Sequence, residues 1–212
     1  MSDASSVGTP RLVARYDSVA HRWHRKVSRL GYPAAYSALF ADSAHGARVL
    51  DIGTGTGAMA EAWCRVVGTP KELVLLDPSR EMLDQAGRRL ARWAVPMRRL
   101  AAGAGSDEVP EERFDVVLLA HVLEHLPDPD STLAWIRTRL RPGGTLYLAA
   151  SRPHWCTALL RWVWGHQAFS PEDMRARLER AGLVQISTIP FPIGPPSRTS
   201  MGYIASRPTG GP

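Results

Sequence analysis

The sequence predicts an α/β fold, in which a mostly parallel β-sheet is covered by helices on both faces. The first observation is alternation: from residue 47 onward, short apolar segments typical of buried strands alternate with amphipathic helical segments. The second is length, because 212 residues suit one domain of this kind better than two. We therefore expect one domain over residues 1–212, made of an N-terminal helical part (11–45), a central half (46–151) and a C-terminal half (152–212).

Composition excludes several other classes of protein. The chain is 44% hydrophobic and 22% charged, as expected of a soluble protein with a full core. No segment has the ~18 uncharged apolar residues that a membrane span requires, and the start shows no secretory signal, so we expect a cytoplasmic protein. The two cysteines, Cys64 and Cys156, form neither a disulfide framework nor a zinc site.

The N-terminal part predicts two helices and carries much of the net charge of +6. In residues 11–30 basic side chains surround an apolar stripe at helical spacing, formed by Leu12, Tyr16, Val19, Trp23, Val27 and Leu30. Gly31 ends this first helix. Pro33 then opens a short second helix that runs to Phe40.

The central half predicts five strands and three helices. The strands are ARVLDIG, ELVLLD, residues 97–102, FDVVLLAH and TLYLAAS; the helices are TGAMAEAWCRVV, SREMLDQAGRRLARW and STLAWIRTRL. Ser79 is the expected N-cap of the second helix, and Asp130 or Ser131 that of the third. The turn Pro142-Gly143-Gly144 leads into the last of these strands.

The C-terminal half predicts one clearly bounded helix and two strands. Ser170 is the expected N-cap of the helix, Pro171 its first residue, and Gly182 lies just beyond its end. The segments VQISTIPFPI and MGYIASRP follow as strands around a Pro-rich connection. Two consecutive strands at the end of the chain favour an antiparallel addition to the parallel sheet.

The segment VLDIGTGTG, residues 49–57, carries the main functional signal. A strand that ends at Asp51 leads through a glycine-rich turn into a helix, whose N-terminus offers unpaired N–H groups to a ligand. The spacing of Gly53, Gly55 and Gly57 differs from the Gly-x-Gly-x-x-Gly of dinucleotide-binding proteins. Asp51 would repel a pyrophosphate and attract a cation, so the motif favours a sulfonium ligand with an amino group over NAD.

A second acid follows at the tip of the next strand. Asp77 lies twenty residues after Gly57, and a carboxylate in this place can accept hydrogen bonds from both hydroxyls of a ribose. The alternative is a surface aspartate that begins the turn Asp77-Pro78-Ser79. The neighbouring glycine motif favours the ribose.

These motifs, followed in order by FDVVLLAHVLEHLPDPD and LRPGGTLYLAAS, resemble the class I S-adenosylmethionine-dependent methyltransferases. The sequence is most similar to the small-molecule branch that includes quinone-biosynthesis methyltransferases. The resemblance covers roughly residues 11–207. It implies a Rossmann-like sheet of seven strands with the last one antiparallel, the cofactor S-adenosylmethionine, and S-adenosylhomocysteine as its product.

The resemblance also implies roles for individual residues. Asp51 and the turn 53–57 would hold the methionine end of the cofactor, Asp77 the ribose, and Pro78 and Met82 the adenine face. The implied cofactor-binding residues are Tyr16, Asp51, Gly53, Thr54, Gly55, Gly57, Asp77, Pro78, Met82, Gly105, Ser106, Ala120 and His121.

One departure concerns the adenine amino group. The family often has an aspartate for it before the fourth strand, whereas Gly105-Ser106 occupy that place here. Either Asp107 or a backbone carbonyl then takes this role, or adenine is held less specifically.

His121 is the candidate general base. It lies at the carboxyl end of a predicted core strand, where open α/β sheets bind their ligands; the alternative is a packed histidine. His121–His125 also match the H-x-x-E-H pattern of one metalloprotease group, but Leu126-Pro127 end any helix, so we expect no metal. Glu124 and His125 are expected to orient the loop by hydrogen bonds.

The acceptor is expected to be a small molecule with apolar or aromatic character, bound by Tyr36, His154, Trp155 and Trp162. In the family the acceptor pocket lies in the segment 155–169. Methylation of oxygen, nitrogen and carbon all remain open at this point. Two other functions also remain open: a non-catalytic S-adenosylmethionine-binding protein and a nicotinamide oxidoreductase.

The basic helix 11–30 has two interpretations. It resembles the N-terminal lid of the family, in which an aromatic residue such as Tyr16 closes the site beside the methionine carboxylate. It also resembles a peripheral contact with an anionic membrane, in which case the acceptor is a phospholipid or a quinone precursor. We expect no nucleic-acid partner, since no added binding domain is present.

Overall fold

Strands and helices alternate along the chain, as the apolar pattern predicts. The structure is a computed structural model that describes residues 30–41, 43, 45–106, 108–154 and 167–210. Its elements in chain order are α1 (Tyr32–Ser37), β1 (Arg48–Ile52), α2 (Ala58–Val66), β2 (Glu72–Leu76), α3 (Arg80–Leu90), β3 (Met97–Leu100), β4 (Phe114–Ala120), α4 (Pro129–Arg139), β5 (Leu140–Ser151), α5 (Pro171–Arg180), β6 (Val184–Ile189), α6 (Pro196–Thr199) and β7 (Ser200–Ser206).

The strands described form a seven-stranded sheet in the order β3-β2-β1-β4-β5-β7-β6. β1 pairs in parallel with β2 on one side and with β4 on the other, and β7 is antiparallel to both of its neighbours. The predicted fold class is therefore confirmed. The last two strands lie together at one edge of the sheet: β7 inserts between β5 and β6, which leaves β6 as the outermost strand.

Helices cover both faces of the sheet, because successive strand residues point to opposite sides. In β1, Val49 packs into a core with α1, α2 and α3, in which the rings of Phe40, Trp63 and Tyr147 meet edge to face. Leu50 packs into a second core, formed with α4 and α5 on the other face. The continuous apolar runs of the central strands follow from this double burial.

Most predicted helix ends are confirmed, since the capping side chains make the expected bonds. Ser79 Oγ accepts the backbone N–H of Met82 at 3.1 Å, and Ser170 Oγ accepts that of Asp173 at 3.1 Å. Gly182 follows α5 in the left-handed conformation, with φ 75°.

The predicted start of α4 is wrong by two or three residues. Neither Asp130 nor Ser131 is the N-cap; instead Asp128 accepts the backbone N–H of Ser131 at 3.0 Å, and Pro129 is the first helical residue. The reason is local: proline fits the first helical position, where no N–H is needed, so the acid before it becomes the cap.

The turn at Pro142–Gly144 lies within the bounds of β5 rather than before it. Leu140 pairs with Phe114, and regular pairing resumes only at Thr145 opposite Val116, so the residues between them form a bulge.

Two predicted features lie outside the described residues. They are the basic helix 11–30, apart from Leu30, and the segment 155–166 of the predicted acceptor pocket. In the part of the chain that the structure covers, every helix is too short or too polar to cross a bilayer.

Replacing the observed cap should destabilise the protein. Asp128→Ala removes the bonds from the backbone N–H and hydroxyl of Ser131, and we expect Tm to fall by about 2–4 °C in thermal unfolding followed by circular dichroism. Asp130→Ala is the control, since it removes only solvent-accessible ion pairs with Arg177 and Arg180 and should change Tm less. An equal fall in both variants would contradict the cap assignment.

Candidate functional site

The carboxyl ends of four strands lie side by side at one edge of the sheet. Ile52 at the end of β1 is level with Leu76 of β2 and Leu119 of β4, and Ala120 of β4 is level with Ala149 of β5. The predicted site residues follow directly after these ends. The parallel register therefore brings together groups that are up to seventy residues apart in sequence.

The glycine-rich turn begins the site. Gly53, Gly55 and Gly57 have φ values of 59°, 50° and 78°, which residues with a side chain rarely adopt. A Cβ at Gly53 would lie 2.3 Å from Cγ2 of Val122, so only glycine fits between β1 and the loop after β4. A Cβ at Gly55 would meet nothing nearer than 4.0 Å, which leaves open space for a ligand against the backbone.

Asp77 ties the glycine turn to the start of α3. Its carboxylate accepts the backbone N–H of Gly55 at 2.9 Å and that of Ser79 at 2.9 Å, and the residue is buried. A buried carboxylate with two backbone donors is rigidly placed at the tip of β2. This is the place predicted for an acceptor of ribose hydroxyls.

Asp51 is a buried carboxyl under the same turn. The hydroxyl of Thr54 donates to it at 2.5 Å. The pKa of Asp51 is raised to about 7: burial raises it most, the bond from Thr54 lowers it, and the nearby charge of Asp77 raises it. A cation bound beside these two acids would compensate the cost of burying them, and the amino group and sulfonium of S-adenosylmethionine fit this requirement.

The other predicted cofactor residues come from several further segments of the chain. Pro78 is exposed just beyond Asp77, and Met82 is buried in the first turn of α3. Ser106 follows the left-handed Gly105 in a turn between β3 and β4. Ala120, Tyr16 and Asp107 complete the set: Ala120 ends β4, whereas Tyr16 and Asp107 lie outside the described residues.

His121 lies in the loop directly after β4, in a strained backbone conformation. Its φ is 56°, which is uncommon for a residue with a Cβ, and its backbone N–H donates to the carbonyl of Ala149 at 2.8 Å. Its Nδ1 is 3.0 Å from Oε1 of Glu124 and 3.3 Å from Oγ of Ser151. These bonds hold the imidazole in place at the end of β4, beside the end of β5.

Glu124 is held at two points beneath His121. Its Oε1 accepts the backbone N–H of Ser151 at 2.6 Å as well as the histidine contact, and its side chain is 1% exposed. Burial alone would raise its pKa, but the bonds from His121 and Ser151 lower the pKa to about 2. Residues 123–125 form one 3₁₀ turn, so this H-x-x-E-H segment has no helix that could present both histidines to a metal.

Two tyrosines of α1 pack near His121. The ring of Tyr32 stands edge-on to the imidazole, with centroids 5.2 Å apart, and that of Tyr36 is 6.5 Å away. Burial raises the pKa of Tyr36 well above its usual value, so its phenol stays protonated. Tyr32 was not predicted, although its position four residues before Tyr36 puts both rings on one face of the helix.

The remaining predicted acceptor residues are only partly covered by the structure. His154 is partly exposed three residues beyond β5, near the ends of the strands. Trp155 and Trp162 lie outside the described residues. The structure therefore assembles the cofactor side of the site more fully than the acceptor side.

Comparison with known proteins identifies the family. A family model described as a methyltransferase domain matches residues 19–188, and the chain belongs to this family. This confirms the class I S-adenosylmethionine-dependent methyltransferase predicted from the motifs.

Individual relatives are similar over part of their length. The ubiquinone biosynthesis O-methyltransferase of Stutzerimonas stutzeri is 31% identical over 147 residues, which cover 65% of this chain and 61% of that protein. A highly reducing polyketide synthase of Emericella nidulans is 36% identical over 133 residues, which cover 58% of this chain and 5% of the synthase. The chain thus spans about three fifths or less of the length of these relatives.

A solved structure shows the same fold. The N-methyltransferase NodS from Bradyrhizobium japonicum, in complex with S-adenosyl-l-homocysteine, superposes with a TM-score of 0.68 at 22% identity, over 84% of this chain and 86% of that chain.

Removing the carboxylate of Asp77 should weaken cofactor binding. Asp77→Ala strips the expected acceptor of the ribose hydroxyls, and we expect the affinity for S-adenosylhomocysteine to fall by ~1–3 kcal/mol in isothermal titration calorimetry. Glu81→Ala, in the first turn of α3, is the matched control and should bind normally. Unchanged affinity in the correctly folded Asp77 variant would refute the ribose assignment.

Asp51 should destabilise the ligand-free protein at alkaline pH. Its pKa is about 7 when folded and near 3.8 when unfolded, so its stabilising contribution is greatest below about pH 4 and is lost as the pH rises through 7. Asp51→Asn should therefore raise Tm at pH 8 relative to wild type more than at pH 5, and should weaken S-adenosylmethionine binding. Thermal unfolding at both pH values measures the difference; a variant that is less stable at pH 8 would contradict it.

Proposed function

We propose that the protein transfers the methyl group of S-adenosylmethionine to a hydroxyl group of a small aromatic molecule. One observation carries this proposal: the acidic, glycine-lined edge of the sheet lies beside a bonded pair of a partly exposed histidine, His121, and a buried glutamate, Glu124. In that pair Nε2 of His121 has no hydrogen-bond partner among the described residues, although it is buried. A buried, unpaired ring nitrogen is costly unless a ligand uses it.

On the cofactor side, three groups of this chain divide the work. The glycine turn lets the backbone approach the ligand at Gly55, and the N-terminus of α2 follows at once. Asp51 faces the cationic methionine end, and Asp77 accepts from the ribose. When bound, S-adenosylmethionine supplies a methyl group on a sulfonium sulfur, from which a nucleophile displaces it in line.

On the acceptor side, His121 acts as the general base. Its Nε2 takes the proton of the acceptor hydroxyl while the oxygen forms a bond to the methyl carbon. The carbon–sulfur bond breaks with its electron pair on sulfur, which leaves S-adenosylhomocysteine. A base of this kind contributes about 10²–10⁴-fold for a hydroxyl that is not ionised, and holding the two reactants in line contributes the rest.

The aromatic acceptor rests on the surroundings of His121 and on the relatives. Tyr32 and Tyr36 offer ring faces and edges beside the imidazole. Because the phenol of Tyr36 stays protonated, it can donate a hydrogen bond to the acceptor but cannot be the base. His154, Trp155 and Trp162 stay predicted as further acceptor-binding residues. The ubiquinone biosynthesis O-methyltransferases support oxygen as the methylated atom.

Two alternatives lead to different results in the same experiment. If the basic helix 11–30 contacts anionic membrane, the acceptor is a phospholipid or a quinone precursor at that surface. If the protein only binds S-adenosylmethionine, no acceptor is methylated at all.

The test supplies S-adenosylmethionine with a labelled methyl group. The protein is incubated with a panel of catechols and, separately, with lysate that is then divided into organic, aqueous, protein and nucleic-acid fractions. We expect labelled methyl ethers of the catechols and label in the small-molecule fractions. Cofactor binding without transfer to any fraction would support the non-catalytic alternative, and label confined to phospholipid or nucleic acid would overturn the aromatic acceptor.

His121→Ala gives the matched variant. It should lower kcat about 10²-fold while the affinity for S-adenosylhomocysteine changes little, because the histidine acts on the acceptor proton and not on the cofactor. His45→Ala is the control and should retain activity, because His45 is exposed and lies in the segment that precedes the amino end of β1. Wild-type activity of the His121 variant at all pH values would mean that His121 is a packed histidine and not the general base.

A further inference from the structure

The hydrogen bond between His121 and Glu124 has a fixed direction. We infer that Glu124 is a positioning residue, which holds His121 in the tautomer that leaves Nε2 free to accept a proton from the acceptor. The effect of this inference on catalysis rests on the proposed function. The contacts from which we draw it are all between described residues.

The first step concerns the proton between the two side chains. Glu124 is ionised around neutral pH, since its pKa is lowered to about 2, and an ionised carboxylate can only accept hydrogen bonds. Oε1 of Glu124 is 3.0 Å from Nδ1 of His121. Nδ1 must therefore carry the hydrogen of this bond.

The second step follows from the chemistry of imidazole. A neutral ring that carries its hydrogen on Nδ1 has a lone pair on Nε2, so Nε2 is the nitrogen able to accept a proton. In the described part of the chain no protein group bonds to Nε2. The same arrangement, in which a buried acid orients the base through its other nitrogen, operates in the Ser-His-Asp triad.

The third step shows why Glu124 itself stays in place. Its Oε1 also accepts the backbone N–H of Ser151 at 2.6 Å, which fastens the loop after β4 to the end of β5. Its backbone carbonyl accepts the N–H of Gln167 at 3.0 Å, and Gln167 lies in the C-terminal part of the predicted acceptor segment 155–169. Glu124 thus connects the base to both sides of the acceptor region.

The second carboxylate oxygen of Glu124 indicates that this residue does more than anchor the loop. Oε2 is buried and has no hydrogen-bond partner among the residues described. A loop anchor alone would be served by a neutral side chain, without the cost of burying a charge. A negative charge here has a use during the reaction, because it stabilises the imidazolium that forms when His121 takes the proton.

The tautomer can be measured without any acceptor. In ¹⁵N-histidine-labelled wild type, we expect NMR to show His121, assigned by comparison with His121→Asn, with a protonated Nδ1 and an unprotonated Nε2. In Glu124→Leu, which removes the acceptor of that bond, the Nε2-protonated form should increase. A wild-type His121 that carries its proton on Nε2 would overturn the inference, whatever the activity of the enzyme.

A pair of acceptors separates positioning from simple destabilisation. At pH 8, 4-nitrocatechol is largely ionised and needs little help from a base, whereas catechol is not. Glu124→Gln, which keeps the acceptor for Ser151 but removes the charge, should lower kcat for catechol about 10- to 10²-fold and for 4-nitrocatechol by much less. Its affinity for S-adenosylhomocysteine should match that of wild type.

Gln167→Leu is the control for the loop. It removes the bond from Nε2 of Gln167 to the carbonyl of Leu126 at 2.9 Å without touching the pair, so any loss should be equal for both catechols. Equal losses in Glu124→Gln would mean that Glu124 is only a loop anchor. If wild type methylates neither catechol, the proposed acceptor class fails, and the NMR measurement still decides whether Glu124 positions His121.

Discussion

Pairing of β1 with β2 and with β4 is the constraint on which the rest of the structure depends. Because both pairings are parallel, the chain leaves all three strands at the same edge of the sheet. Asp51 and the glycine turn, Asp77, and His121 follow these exits and meet there. Gly53 shows how tightly the arrangement is built, since any side chain at this position would collide with Val122 of the loop after β4.

Two buried carboxylates in this region have opposite electrostatic properties. Oε1 of Glu124 has bonds from His121 and Ser151, which lower the pKa of this buried carboxyl, so Glu124 is ionised even though it is buried. Burial, and to a lesser extent the charge of Asp77, raises the pKa of Asp51 despite the bond from Thr54, so Asp51 holds its proton more tightly. The difference fits the roles proposed for them, in which Glu124 holds a permanent partner within the protein and Asp51 binds the cationic end of the ligand.

The sequence predicted the cofactor side of the site better than the acceptor side. The glycine spacing, Asp51 and Asp77 are local signals, because each adjoins the end of a strand and the start of a helix. The sequence predicted that Glu124 orients the loop by hydrogen bonds, but it did not identify Ser151 as a partner, which is distant in sequence. Tyr32 shares a helix face with Tyr36, but its contact with His121 depends on an element that is distant in sequence. The N-cap of α4 was misplaced for a smaller reason: several acidic and hydroxyl residues around Pro129 could each have begun the helix.

By itself the sequence determined the α/β class, the order of the strands and helices, and the methyltransferase-domain family. The reason is that apolar periodicity, capping residues and the glycine motif each depend only on residues close together in sequence. Only the tertiary structure decided that β7 inserts between β5 and β6, and that His121, Glu124 and Ser151 form one bonded group. These outcomes depend on strand register and on hydrogen bonds across nearly thirty residues of chain, from Glu124 to Ser151, which no local pattern specifies.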